Sequence, residues 1–384
     1  MEAYLDNSAT TRVFPEVVEL MVETMTKNYG NPSSMHEKGV EAEAYIKEAT
    51  KTFAGLLKVQ EKEIFYTSGG TESDNWALIG TAMANKRTAK HIVITAMEHP
   101  AIAAPAEFLE KQGFEVTRLS VDAEGRIDKE KLLDAIREDT FLVSMMYVNN
   151  EIGAVSDMET LAKAVKAKNP GCYVHVDAIQ AFGKYRIYPK RMGIDMLSVS
   201  SHKIHGPKGV GLLYIDERVK IVPIIYGGGQ QKGMRSGTDN VPGIAGFGLA
   251  ADMVYRDFDK KIEKMYALKK KLTEGLKNLG DVHIHGMDIM EGAPHIVSAA
   301  FMGVRSEVLL HTLEERGIYV SAGSACSTHK RNASPTMQAI QAPKALSEST
   351  IRMSLCETTT EEEIDYCLAV LSEILPMLRR YTRR

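Results

Sequence analysis

Cysteine is scarce in this chain: four residues in 384, at Cys172, Cys326, Cys356 and Cys367. No two of them have the short spacing of a metal knuckle or a redox pair, so neither a disulfide scaffold nor a metal centre is expected. Long apolar runs are missing too, and none approaches the roughly 18 residues of a membrane span. Residues Met1 to Ser8 carry neither the basic start nor the apolar core of a secretory signal. Free thiols in such a chain lead to the expectation of a cytoplasmic protein. Excess charge of one sign is absent as well. The 47 basic and 50 acidic residues are spread along the chain, for a formal net charge of -3. Without a basic excess or a basic face, direct nucleic-acid binding is not expected, and without a long apolar run neither is a membrane span.

What is present is a globular composition, 44% hydrophobic and 25% charged, with no internal repeat or low-complexity tract. The length suits two or three domains. Helical periodicity over 14–28 and 36–57 is followed by alternation of β-rich runs and amphipathic helices. The predicted strands are 64–67, 92–95, 115–119, 141–148, 173–177, 196–200 and 211–215, with helices at 72–85, 101–111 and 158–168 between the early ones. Such alternation predicts a mostly parallel sheet with helices on its faces. A long helix is predicted over 241–279. A smaller unit follows, with strands near 283–285, 296–301 and 351–355 and a closing helix at 360–379. The expected division is a large domain at 13–255 and a small one at 256–384, with residues 1–12 packing on the small one. The irregular stretch 321–349, rich in small and polar residues, contains Cys326 and is read as a functional loop.

Four motifs fall at the carboxyl ends of predicted strands, where open α/β sheets bind ligands. Lys203 follows a buried strand among Ser200, Ser201 and His202. Desolvation there favours the neutral amine that imine chemistry needs, while the hydroxyls and imidazole suit an anionic group. Asp177 ends another apolar run. A carboxylate at that point can hold a pyridine-type ring nitrogen protonated, and Gln180 can donate to a ring hydroxyl. Gly69-Gly70-Thr71 joins a strand to a helix start, a ready anion site, although Thr71 with Asp74 equally fits a capping box. His99 lies at a fourth strand end, where an imidazole can stack on a planar ring and exchange protons. Each motif alone also fits a structural reading: a surface lysine, a capping aspartate, a capped helix, a structural histidine. Their convergence on one sheet edge favours a cofactor site.

These residues resemble a known family. YLDNSATT at 4–11, GNPSSMH at 30–36, TSGGTES at 67–73, EHPA at 98–101, VNNEIGAV at 148–155, HVDAIQ at 175–180, SSHKIHGPKG at 200–209, GMRSGT at 233–238 and SAGSACS at 321–327 are similar to the motifs of the fold-type I pyridoxal-phosphate enzymes of aminotransferase class V. Within that class they resemble the cysteine desulfurases of the NifS/IscS type. The resemblance implies an α/β fold with a large cofactor domain and a smaller α/β domain. It implies that Lys203 holds pyridoxal 5'-phosphate covalently, Asp177 pairs with the ring nitrogen, Gln180 contacts the ring hydroxyl and His99 stacks on the ring as acid or base. Gly70, Thr71, Ser200, Ser201 and His202 would hold the phosphate. Thr238 would reach it from a neighbouring subunit, which implies a homodimer. Asn150 would position ring and substrate, and Arg352 would clamp the carboxylate of L-cysteine.

Cys326 resembles the loop nucleophile of the desulfurases. It would take sulfur as a persulfide, release L-alanine and pass the sulfur to an acceptor protein, an iron–sulfur scaffold or a tRNA-thiolation enzyme. His329, Lys330 and Arg331 would favour its thiolate. The chain departs from the family at Cys356-Glu357, where Gly-Arg is common, placing a thiol and an acid near the expected carboxylate clamp. It also lacks the family's usual glycine near Gln341. Selenocysteine lyase, cysteine-sulfinate desulfinase and aminotransferase are the alternatives within the class. An aminotransferase would have no use for Cys326. A non-catalytic sulfur-transfer scaffold is the alternative outside it, and Lys203 and Asp177 speak against that.

Overall fold

The computed structural model describes residues 1–322 and 334–382. Its centre is a seven-stranded sheet in the order Ile64–Thr67, Gly211–Ile215, Met196–Ser200, Tyr173–Asp177, Thr140–Met146, His91–Thr95, Glu115–Leu119. Gly211–Ile215 runs antiparallel to both neighbours and the other pairings are parallel. The inner strands are buried on both faces, which is why their sequences read as continuous apolar runs. Glu115–Leu119 is the exception, carrying exposed Glu115 and Arg118, as an edge strand does to avoid further pairing.

Helices Pro15–Thr26, Glu37–Leu57 and Val241–Tyr255 pack together on one face of the sheet. Small residues set their spacing: a Cβ on Gly248 would come within 2.6 Å of the Ala49 Cβ, and one on Gly246 within about 3 Å of Val17 and Met21. Phe53 fills the layer beneath, 4.5 Å from Phe247 and 6.0 Å from Phe182 between ring centroids. Burying each such ring is worth about 1.5–3 kcal/mol. A second, antiparallel sheet runs Ser321–Ala322, Thr350–Ser354, Ile296–Phe301, Val282–Ile284. The helices Phe258–Asn278 and Glu361–Thr382 cover it, with Leu272, Leu276, Ile364, Cys367, Leu371 and Leu375 in a common core.

Three expectations are corrected. The helix predicted over 241–279 is two helices, because Arg256 is extended and Asp257 takes a left-handed backbone (φ 50°), which aspartate tolerates better than most residues. The turn is held by the stack of Tyr255 on Phe258, with centroids 5.2 Å apart and ring planes nearly parallel. The capping box of Thr71 and Asp74 does not form. The helix starts at Gly70, its N-cap is Gly69 without a side-chain cap, and Asp74 is fully buried. Cys356 and Glu357 do not crowd Arg352 in the cavity described below; they turn towards His205. The position near the missing glycine is Gln341, whose φ of 55° explains why a glycine suits it.

Two glycines in this helix layer should respond in opposite directions. Gly55, in the Glu37–Leu57 helix, has open space where a Cβ would stand, with nothing within 4 Å of that point, so Gly55→Ala should stabilise by about 0.5–1 kcal/mol. Gly248→Ala should destabilise by about 1–3 kcal/mol through overpacking against Ala49. Urea unfolding of both variants measures this, and midpoints shifting the same way would contradict the packing described.

Candidate active site

Because six strands of the central sheet share one direction, the segments after Thr67, Thr95, Met146, Asp177 and Ser200 emerge along one edge. There they line a cavity of about 600 Å³ together with Ser8, Ala9, Ser321, Ser334, Thr336 and Arg352. Of the residues singled out from the sequence, Gly70, Thr71, His99, Asn150, Asp177, Gln180, Ser200, His202, Lys203 and Arg352 all face it. Ser201 does not: its side chain is wholly buried against Gly206. Thr238 is exposed and outside the cavity. Cys326, with His329, Lys330 and Arg331, lies outside the described residues.

Lys203 sits in a short helical turn, Ser201–Lys203, directly after its strand. Its Nζ donates to the carbonyl oxygens of Ser8 (2.6 Å) and Ala9 (2.8 Å). Asp177 is the last residue of its strand, and its Oδ1 accepts the Ile179 N–H at 2.9 Å. Three buried carboxyls cluster here. Burial pushes Asp74 well up, and the neighbouring charge of Asp177 adds to the effect. Burial likewise pushes Glu98 up to about 8, so burial favours the neutral form of both. Asp177 is also raised by burial, but the Ile179 N–H and Lys203 oppose the shift, so of the three it is the one whose charged form has a cationic neighbour. His175, beneath it, is held by the hydroxyls of Ser144 (2.8 Å) and Ser198 (2.9 Å), and burial drops it to about 3, leaving it neutral.

His99 caps the Pro100–Lys111 helix, its Nδ1 accepting the Ala101 N–H at 3.1 Å. Burial, then Lys203, lower its affinity for a proton. A neutral ring with Nδ1 engaged as acceptor carries its hydrogen on Nε2. Gln180 donates to the Ser8 carbonyl (2.9 Å) and faces His295 across 3.3 Å. Arg352 comes from the second sheet. Its guanidinium donates to Asp6 Oδ1 (2.9 Å), Ser321 Oγ (3.0 Å) and the Asn150 carbonyl (2.8 Å), while Nε is buried without a partner among the described residues.

The cavity continues into a smaller cleft walled by Thr10, Ser68, Gly69, Gly70, Thr71, Ser200, His202 and Lys208. A Cβ on Gly70 would meet Ile179 at 2.2 Å, and Gly69 holds φ 152°. Bare backbone N–H groups at a helix start, four hydroxyls, an imidazole and a lysine make a cradle for a phosphate. With the buried carboxylate, the lysine and the flanking imidazole, the donor set fits pyridoxal phosphate. Sequence reading missed three contributors. Ser8 and Ala9 act through backbone carbonyls, which leave no side-chain signature. Glu98, adjacent to His99, lines the cavity with Oε2 unpartnered among the described residues, while Oε1 accepts from Thr95 Oγ1 (2.6 Å) and the Met146 N–H (2.9 Å).

The aminotransferase class-V family profile matches residues 3–367. The protein named cysteine desulfurase IscS of Methanosarcina thermophila is 42% identical over 376 residues, 98% of this chain and 92% of that protein. A solved NifS-like protein superposes with a TM-score of 0.93 at 39% identity, covering 98% of this chain and 100% of its own. A structure described as SspA in complex with cysteine matches with a TM-score of 0.82 at 31% identity over 93% of this chain and 100% of its own. On sequence, fold and site together, the chain belongs to the aminotransferase class-V family, on the branch of the NifS and IscS proteins.

Proposed function

We propose that this chain is a pyridoxal-phosphate-dependent cysteine desulfurase, converting L-cysteine to L-alanine and taking the sulfur as a persulfide on Cys326. The reading is carried by one observation: the lysine and carboxylate at the sheet edge share a single cavity with an arginine from the second sheet. The names of the relatives and the cysteine-bound SspA support it. Lys203 holds the cofactor, Asp177 keeps a proton on the ring nitrogen, Gly70, Thr71, Ser200 and His202 hold the phosphate, and Ser201 supports that cradle from below. When bound, pyridoxal phosphate supplies the electron sink that weakens bonds at the substrate's α and β carbons.

The remaining chemistry belongs to the chain. Arg352 turns from Asp6 and Ser321 to the substrate carboxylate, with Asn150 beside it, and so fixes the amino acid's orientation. His99, neutral and bearing its hydrogen on Nε2, serves as acid or base at the ring face. Gln180 presents its amide to the ring hydroxyl. Cys326 attacks the substrate sulfur as a thiolate, and a sulfur-acceptor protein, in iron–sulfur cluster assembly or tRNA thiolation, then relieves it of the persulfide.

The assembly proposed is a homodimer of subunits divided at about residue 255, with Thr238 of each subunit reaching the phosphate in the other. Exposed Val18, Val22 and Met25, one helical face of Pro15–Thr26, support such an interface, as apolar stripes of that kind mark contact surfaces. Among the described residues no helix is long and apolar enough to cross a membrane. The free thiols of Cys172, Cys356 and Cys367 support a reducing compartment such as the cytoplasm.

Lys203→Ala should abolish borohydride-stable attachment of the cofactor, measured by the mass of the reduced protein. A variant that still retains the adduct would move the assignment to another lysine.

Arg352→Ala should raise the Michaelis constant for L-cysteine more than it lowers kcat, since truncating one partner of a buried charge pair costs about 2–5 kcal/mol. An unchanged Michaelis constant would relocate the carboxylate clamp.

Cys326→Ala should bind L-cysteine with the spectral change of the wild type yet release no alanine. In the wild type, labelled cysteine should leave dithiothreitol-removable sulfur on Cys326. Alanine release by the variant at more than a few per cent of the wild-type rate would exclude the persulfide route through this residue.

A further inference from the structure

Apart from the cavity, three Lewis-basic side chains converge: His205, Cys356 and Glu357, whose donor atoms lie within 4.8 Å of one another. None lines the cavity. His205, two residues past Lys203, holds a left-handed backbone (φ 63°) and stacks on Phe14 with centroids 4.3 Å apart. Its Nδ1 lies 2.8 Å from the Arg12 carbonyl oxygen. A carbonyl only accepts, so Nδ1 bears the hydrogen, and Nε2 faces Glu357 Oε2 at 3.1 Å. A ring anchored by one N–H to a carbonyl, with the other nitrogen turned to a cluster of donors, is how metal-binding histidines are held.

An independent observation points to a missing partner. Glu357 Oε1 is buried without any hydrogen bond among the described residues, on a side chain only 8% exposed. Buried acceptors are nearly always satisfied, and a bound ion is one recognised way to satisfy an orphan. Cys356 is 4% exposed, with Thr358 Oγ1 at 3.1 Å from its sulfur.

We propose that His205, Cys356 and Glu357 form a binding site for a divalent transition-metal ion of the zinc class. A thiolate, an imidazole and a carboxylate favour such an ion over magnesium or calcium, which prefer all-oxygen ligands. Ligand bonds of about 2.0–2.3 Å require the donors to close slightly on a tetrahedral centre, a movement that side-chain rotation supplies. Binding sends the thiol proton and any Nε2 proton to solvent. The thiolate and carboxylate balance the ion's charge. Lys184, which donates to the Lys203 carbonyl at 3.0 Å and interacts electrostatically with Glu357 and Cys356, opposes the ion and limits its affinity. Ion-free, burial lowers the His205 imidazole, but contact with Cys356 and Glu357 outweighs this and raises it to about 9, so a proton competes for the same place. An ion here ties the 356–357 segment to the loop that carries Lys203. The site is independent of the desulfurase reading. Spacing rules pass over it, because His205 and Glu357 are 152 residues apart.

The test uses tag-free, cofactor-loaded protein, stripped with a chelator, incubated with zinc and gel-filtered. One zinc per chain, with a sulfur neighbour in X-ray absorption, is expected in the wild type and in Cys326→Ala. Affinity should fall at least about tenfold in Cys356→Ala and in the near-isosteric Glu357→Gln, and zinc should raise the thermal midpoint of the wild type but not of Glu357→Gln. No retained zinc in the wild type, loss of it in Cys326→Ala, or wild-type affinity in Glu357→Gln overturns the proposal.

Discussion

A shared strand direction is the constraint from which the cavity follows. Parallel strands cannot be joined by tight turns, so each returns through a helix and each carboxyl end opens on the same edge. Thr67, Thr95, Met146, Asp177 and Ser200 end there together, and the residues just beyond them meet although they are scattered over more than a hundred positions. The strands themselves are buried on both faces, so the groups at their ends stand on backbone that has little freedom to move. Positioning at this edge therefore costs no additional ordering when a ligand arrives.

Burial at that edge creates an electrostatic difficulty that the fold resolves by neutralisation. Asp74, Glu98 and Asp177 are within each other's influence and shielded from water, and three negative charges there would repel strongly. Burial raises all three, and Asp177 is the one whose shift a nearby lysine opposes. His175 below stays neutral between two serine hydroxyls, so it supports Asp177 without adding charge. An anion beside a lysine presents its charge at one point of the cavity wall, where a diffuse acidic patch would spread it.

The sheet was legible in the sequence because doubly buried strands are continuous apolar runs, and all seven predicted strands overlap observed ones. Lys203, Asp177, His99 and Gly70 were legible because each follows such a run and carries a group with distinct chemistry. The helix break at Asp257 was not, since no glycine or proline marks it and the apolar spacing of Val254, Phe258 and Met265 continues across it. The capping reading of Asp74 rested on its spacing from Thr71, whereas its side chain is buried within the influence of Asp177. Ser8 and Ala9 contribute carbonyls, and Cys356 and Glu357 acquire their meaning from His205. Periodicity reports neither backbone acceptors nor partners distant in the chain.

The N-terminal segment explains how two sheets serve one cavity. Arg352 and Ser354 lie on the same strand, two residues apart, and therefore on the same face. The Ser354 side chain accepts the Ser8 N–H at 2.8 Å, and its backbone N–H donates to the Leu5 carbonyl at 2.7 Å. The Ser8 carbonyl in turn accepts from Lys203 and Gln180, Thr11 bonds to the His202 carbonyl, and Phe14 donates its N–H to His205. The arginine of one sheet and the lysine of the other are thus separated by a short chain of hydrogen bonds through residues 5–14. A shift of the second sheet cannot leave the lysine loop undisturbed, so Arg352 and Lys203 hold their spacing because one strand of backbone is bonded to both.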